Sequence, residues 1–173
     1  MAHTAEETIM SNLFITTSRK PKLFTRKLAK MLAGLLGAET ENRGKRSFGE
    51  VIERAEVRGR TRLIAIYEKK GNPESLNFFE EDWLYPVIVI QSVIFPPEEP
   101  RRLPQVGVVT AKDEEGKRMK KLFALGSGGL ELDPTGVEME LSAKRIAFFH
   151  GGKQVGPEVR IKALADAINS EPE

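Results

Sequence analysis

Between residues 12 and 69 the apolar pattern changes period four times, and this alternation limits the available folds more than any other feature. "NLFITTS" at 12–18 is apolar at Leu13, Phe14 and Ile15 and rich in β-branched residues, which reads as a strand. Ser18 can begin the following turn, and Pro21 suits a helix's first turn, where its missing N–H is not needed. Phe24, Leu28, Met31, Leu32 and Leu35 then recur at three- and four-residue spacing, an apolar helical stripe that Gly37 stops. "AETENRGKRS" turns the chain and begins with a short strand. Ser47 and Glu50 stand in capping-box spacing before a second helix with an apolar face of Phe48, Val51, Ile52 and Ala55. "TRLIAIYE" is a nearly continuous apolar strand of the kind buried on both faces. Strand, helix, strand, helix, strand predicts a parallel α/β unit with right-handed crossovers.

Past the "EKKGNPES" turn the character changes. Short strand-like runs are expected at 76–79, 87–95, 105–110, 119–125, 129–132, 137–141 and 145–149, between turns rich in Gly, Pro, Asp and Glu. "PPEEPRRLP" at 96–104 reads as an extended connection and "GSGG" at 126–129 as a hairpin turn. "PEVRIKALADAINS" reads as a strand passing into a short terminal helix. Residues 1–11 read as a flexible leader and 12–173 as one domain, with halves of about 12–80 and 81–173.

The residue inventory narrows the chemistry. With no cysteine among 173 residues, disulfides, zinc–thiolate sites and cysteine nucleophiles are excluded, which fits a reducing cytoplasm. The two histidines, His3 and His150, do not make a histidine metal site or a catalytic triad, and His150 beside two glycines reads as a turn residue. "MAHTAEETIMSN" lacks the basic and apolar regions of a secretory signal, and "VIVIQSVIF" at 87–95 is too short to span a bilayer as a helix. Glu80-Glu81-Asp82 and Asp113-Glu114-Glu115 sit in polar, turn-like stretches and read as solvated surface. The glycine run at 126–129 lacks the Lys-Ser/Thr of a phosphate-binding loop. No enzyme constellation, metal site or cofactor is expected.

The charge distribution points elsewhere. The formal net charge is only +2, yet residues 10–72 hold fifteen Lys and Arg against six Asp and Glu, with twelve against nineteen in the remainder. Ser18, Arg19, Lys20, Lys22, Arg26, Lys27 and Lys30 open the first helix with no acidic residue among them. Like charges one turn apart repel, so the missing negative charge is expected from outside the chain. The helix N-terminus itself favours an anion. Arg43, Lys45 and Arg46 in the "NRGKR" loop follow the second strand of the unit and can approach the same place. Repeated anions at matching spacing describe a nucleic-acid backbone, RNA or DNA. Arg54 and Arg58 form another stripe, diluted by Glu50, Glu53 and Glu56 and explained by ordinary pairing on the helix.

The same residues resemble a known family. "TSRKP" at 17–21, "NRG" at 42–44, Gly71 with Pro73, and Val155-Gly156-Pro157 are similar to motifs of the Brix domain of ribosome-assembly proteins. The likeness is nearest to single-domain archaeal members and to the Imp-type subunit of the small-subunit processome. It runs through nearly the whole chain and is dense over residues 13–73. It implies two similar α/β halves, each like the anticodon-binding domain of class II aminoacyl-tRNA synthetases. It further implies a non-catalytic, cytoplasmic factor that binds ribosomal RNA or its precursor in subunit assembly, alongside other assembly proteins and away from membranes. A protein-interaction scaffold using the acidic half and an accessory tRNA-binding protein are the alternative readings.

Overall fold

The computed structural model describes residues 11–97, 104–126 and 132–166. Strand β1 (Leu13–Thr17) is buried along its whole length. It runs parallel to β2 (Glu39–Thr40) on one side and to β3 (Arg62–Lys69) on the other. Helix α1 (Leu23–Leu36) joins β1 to β2, and α2 (Phe48–Val57) joins β2 to β3. The two crossovers travel in opposite directions across the sheet, so their shared right-handedness puts the helices on opposite faces. Leu13 and Ile15 share the large core with Leu28 and Leu32 of α1, whereas Phe14 packs with Val51 and Ala55 of α2. Gly37 ends α1 in the left-handed conformation, and Ser47 and Glu50 form both bonds of the capping box on α2.

Lys70 and Gly71, both with positive φ, turn the chain into β4 (Asn72–Glu80), so the turn is shorter than expected and Pro73 lies inside a strand. Pro73 is tolerated because it stands opposite Glu68 next to a register shift, where a ladder N–H is not needed. The long β5 (Asp82–Ile94) pairs with β4 through its first part and with β10 (Glu158–Ala165) through its later part. Then β6 (Val106–Ala111), α3 (Glu114–Phe123), β7 (Val137–Leu141), β8 (Arg145–His150) and the short β9 (Lys153–Gln154) complete the described elements. The sheet order is β2-β1-β3-β4-β5-β10-β8-β7-β6, with β9 paired to β8.

One expectation fails outright. Residues 119–125 lie mainly in α3 and not in a strand. Asp113 caps that helix by accepting from Gly116 N–H at 2.7 Å, and its other oxygen accepts from Ala143 N–H at 2.9 Å. Met119, Leu122 and Phe123 are buried at helical spacing, with Phe123 edge-on to Phe78 at 5.0 Å. The backbone approaches β7 so closely that a Cβ on Gly116 would stand 2.2 Å from the Leu141 carbonyl oxygen. Arg62 ties α3 to the start of β3 by donating to the carbonyls of Lys121 and Leu122 while pairing with Glu80. Ser11, expected in the leader, is buried, and its N–H donates to Gly37 O. The expected strand at 129–132 lies outside the described residues apart from Leu132, as do most of the leader, of "PPEEPRRLP" and of "GSGG", and the terminal helix.

Candidate nucleic-acid interface

In an open α/β sheet, a crevice forms beyond the carboxyl ends of neighbouring strands whose onward connections leave toward opposite faces. Here those strands are β1 and β2, because α1 and α2 cover opposite faces. The two loops at that crevice are residues 18–22 and 41–47, the two basic motifs of the sequence. The second is fastened where the first begins: the Arg43 N–H donates to Oγ1 of Thr17, the last residue of β1, at 3.3 Å. The β3–β4 turn closes the third side, with Gly71 packed against the stem of Lys22. That turn adds Lys69 and Lys70, two exposed cations that the sequence reading passed over as part of a turn. Their visible signal was "EKKGNP" itself: two lysines next to a glycine turn at the end of a strand parallel to β1.

The expected residues do not play equal parts. Arg19, Lys20, Lys22, Arg26, Lys30 and Lys45 are exposed, and among the described residues no carboxylate pairs with their side chains. Lys27 is half-buried, with Nζ 4.6 Å from the centre of the Phe95 ring. Arg43 is 6% exposed, and its Nε donates to the Arg46 carbonyl at 3.1 Å, so it braces the loop from within. Arg46 is partly buried and reaches back to the Asn42 carbonyl.

Ser18 is likewise structural. Its hydroxyl donates to Glu68 at 3.1 Å, and the same carboxylate accepts from the Lys22 N–H at 2.9 and 3.2 Å. The expectation of an open anion seat at the helix start is therefore corrected: Glu68, from the end of β3, already occupies part of it. This end presents side-chain cations to solvent more than bare helix N–H groups.

Arg54 and Arg58 are neutralised, though not by the glutamates of their own helix. Both reach across to the residue just after β2. Arg54 makes a two-pronged pair with Glu41 at 2.6 and 2.9 Å, while Arg58 bonds Glu41 and lies 3.3 Å from Glu39. These guanidinium groups, the Arg54 hydrogen bond first, hold the Glu41 carboxyl at about 2, below its usual 4.5. Arg60 is buried and donates to the carbonyls of Ser11, Leu13 and Gly37, a clip between the chain's first strand and the end of α1.

The acidic clusters lie elsewhere. Glu80 and Asp82 pair across the β4–β5 hairpin, beside the start of β3. The crevice is at the other end of β3, roughly 20 Å away at about 3.3 Å per residue. Asp113 and its neighbours open α3, between β6 and β7. Among the described residues no group of three or more His, Cys, Asp or Glu could hold a metal ion, and no helix is long and apolar enough to cross a membrane.

No family model matches the chain. It is 39% identical over 69 residues to a Brix domain-containing ribosomal biogenesis protein of Methanosarcina barkeri, covering 40% of this chain and 42% of that one. A protein of the same description from Archaeoglobus fulgidus is 44% identical over 66 residues, 38% of this chain and 40% of the relative. The sequence matches thus span about two fifths of the relatives' length. The fold likeness is broader. A ribosomal biogenesis protein from Aeropyrum pernix K1 superposes with a TM-score of 0.71 at 22% identity, over 94% of this chain and 99% of the other. Mil, an archaeal Imp4-like protein, gives 0.69 at 21% identity over 90% and 99%.

Proposed function

We propose that this chain is a member of the Brix-domain family and a ribosome biogenesis factor that binds ribosomal RNA or its precursor without catalysing a reaction on it. The observation that carries this reading is the convergence of two basic loops and the start of α1 at one crevice, where among the described residues no carboxylate pairs with the side chains of Arg19, Lys20, Lys22, Arg26, Lys30 and Lys45. A phosphodiester backbone supplies anions at a spacing that several fixed cations can meet together. Arg19, Lys20, Lys22, Arg26, Lys30 and Lys45 are the direct contacts in this reading, with Lys69 and Lys70 at the margin. Ser18, Arg43 and Glu68 hold the loops in place. The acidic β4–β5 hairpin, at the far end of β3, faces other assembly proteins and not the RNA.

The two-half architecture belongs to the same reading, with a boundary near residue 80. It is supported by the parallel pair and covering helix at each end of the sheet: β1–α1–β2 and β6–α3–β7. Their order differs, since the edge strand follows its helix at the first end and precedes it at the second. The likeness to synthetase anticodon-binding domains rests on the resemblance in the sequence motifs and is an analogy of fold, not of ligand.

Crosslinking the protein to RNA in archaeal cells and sequencing the attached fragments tests the assignment. Enrichment of ribosomal RNA or its precursor is expected. Enrichment of transfer RNA, or recovery of no RNA above background, overturns it.

A further inference from the structure

Helix α1 leaves its expected apolar stripe at one position. Phe24, in the first turn, is 52% exposed, and Leu23 beside it is 66% exposed. The Phe24 ring lies nearly parallel to Phe95, with 17° between planes and 6.2 Å between centroids. Lys27 sits over Phe95. A groove of about 330 Å³ runs beside the pair, lined by Phe24, Phe95, Pro73 and the polar side chains of Asn72, Gln91 and Ser92. Asn72 follows Gly71, the residue packed on Lys22, so the groove adjoins the basic crevice.

A flat apolar ring, an adjoining row of amide and hydroxyl groups, and the cations Lys22 and Lys70 at the adjoining turn match the three parts of a nucleotide. The base offers a π-face to an aromatic ring, its edge offers hydrogen-bonding groups, and the phosphate answers the cations. We infer that Phe24 is a stacking platform for one unpaired base of the bound RNA. The inference rests on the RNA reading above and deepens it by naming the form of RNA recognised. A base in a duplex is already stacked on both faces, so the platform selects single-stranded loops or ends. The base lies on the exposed face of Phe24 with its edge toward Asn72, Gln91 and Ser92, while neighbouring phosphates meet Lys22 and Lys70, the cations beside Gly71 and Asn72. An apolar segment of another protein is the competing occupant. The paired amides and the cation row favour the nucleotide.

The test compares three probes of about twelve nucleotides with the full chain: single-stranded oligoadenylate, an abasic ribose-phosphate oligomer, and a blunt RNA duplex. One stacked base predicts that the base-bearing single strand binds about tenfold tighter than the abasic oligomer. Phe24→Leu should lose that tenfold while leaving abasic affinity and the salt dependence unchanged, and Phe24→Tyr should keep it. Equal, salt-sensitive binding of wild type to the base-bearing and abasic strands overturns the platform while leaving the RNA reading standing, and gives the patch to a protein segment. Absence of binding to every probe removes both. Equal losses by Phe24→Leu and Phe24→Tyr on both strands also overturn the platform, because they mark a disturbed helix.

Discussion

Glu68 anchors the basic motif while lowering the positive potential there, so its replacement should move stability and affinity in opposite directions. Its oxygens accept from Ser18 Oγ at 3.1 Å and from the Lys22 N–H at 2.9 and 3.2 Å. Glu68→Gln keeps the length and one acceptor oxygen but removes the charge. Hydrogen bonds to charged groups contribute roughly 1.5–3 kcal/mol against about 1 for neutral ones, and partial solvent exposure reduces the difference. A net loss of about 1 kcal/mol follows, or roughly 2–4 °C in Tm for a chain of this size. On the binding side, a phosphate about 7 Å from the removed charge loses some 0.6 kcal/mol of repulsion in a water-like medium, roughly a threefold gain in affinity. Scanning calorimetry reads the first effect, and fluorescence anisotropy with a labelled ribosomal RNA fragment at about 0.1 M salt reads the second. A lower Tm with tighter binding is expected. Weaker binding by a folded variant would refute the reasoning, since Glu68 would then matter more for loop geometry than for charge.

Two further perturbations probe the frame around the site. An alanine Cβ at Gly156 would stand 2.6 Å from Leu35 Cδ1 and 3.0 Å from Cβ and Cδ2 of Phe148, both walls being buried. Overpacking of this kind costs roughly 1–3 kcal/mol, so Gly156→Ala should lower Tm by about 3–8 °C, and its cost should be smaller when measured in a Leu35→Ala background, where part of the clash is gone. An unchanged melting curve would show that α1 yields freely at this contact. Because Glu41 is held at about 2 in the folded chain, the unfolded chain takes up its proton first. Its stabilisation is therefore complete above about pH 4.5 and is lost as pH falls toward 2. Glu41→Gln should cost about 2 kcal/mol at pH 7, after discounting for partial exposure, and the gap to wild type should close over that range. A gap that stays constant from pH 5 to 2.5 would remove the Arg54 and Arg58 pairing as its cause.

The parallel unit was legible because each of its elements carries a local signal: β-branched runs, the Ser47–Glu50 box and Gly37. Helix α3 was misread because Leu122, Phe123, Ala124 and Leu125 form a continuous apolar run. The lysines at 117, 120 and 121 and the Asp113 cap gave the helical period that this run obscured. The basic site was legible in its charges but not in its division of labour. Arg43 looks like any loop cation until the Thr17 and Arg46 contacts bury it. The partner of Ser18 is 50 residues away, beyond the reach of local pattern. Phe24 fitted the apolar stripe by spacing, and its exposure depends on how far α1's first turn overhangs the sheet, a tertiary fact.

The central claim is that exposed cations at the β1–β2 crevice hold RNA phosphates. The most direct measurement is the salt dependence of Kd for a structured ribosomal RNA fragment, in wild type and in the Arg19→Ala, Lys22→Ala, Arg26→Ala triple variant. Each lost phosphate contact should lower the log–log slope by about 0.7–0.9, so the variant should lose roughly two to three units of slope together with affinity, at an unchanged Tm. The same slope and affinity in wild type and in a folded variant would contradict the account.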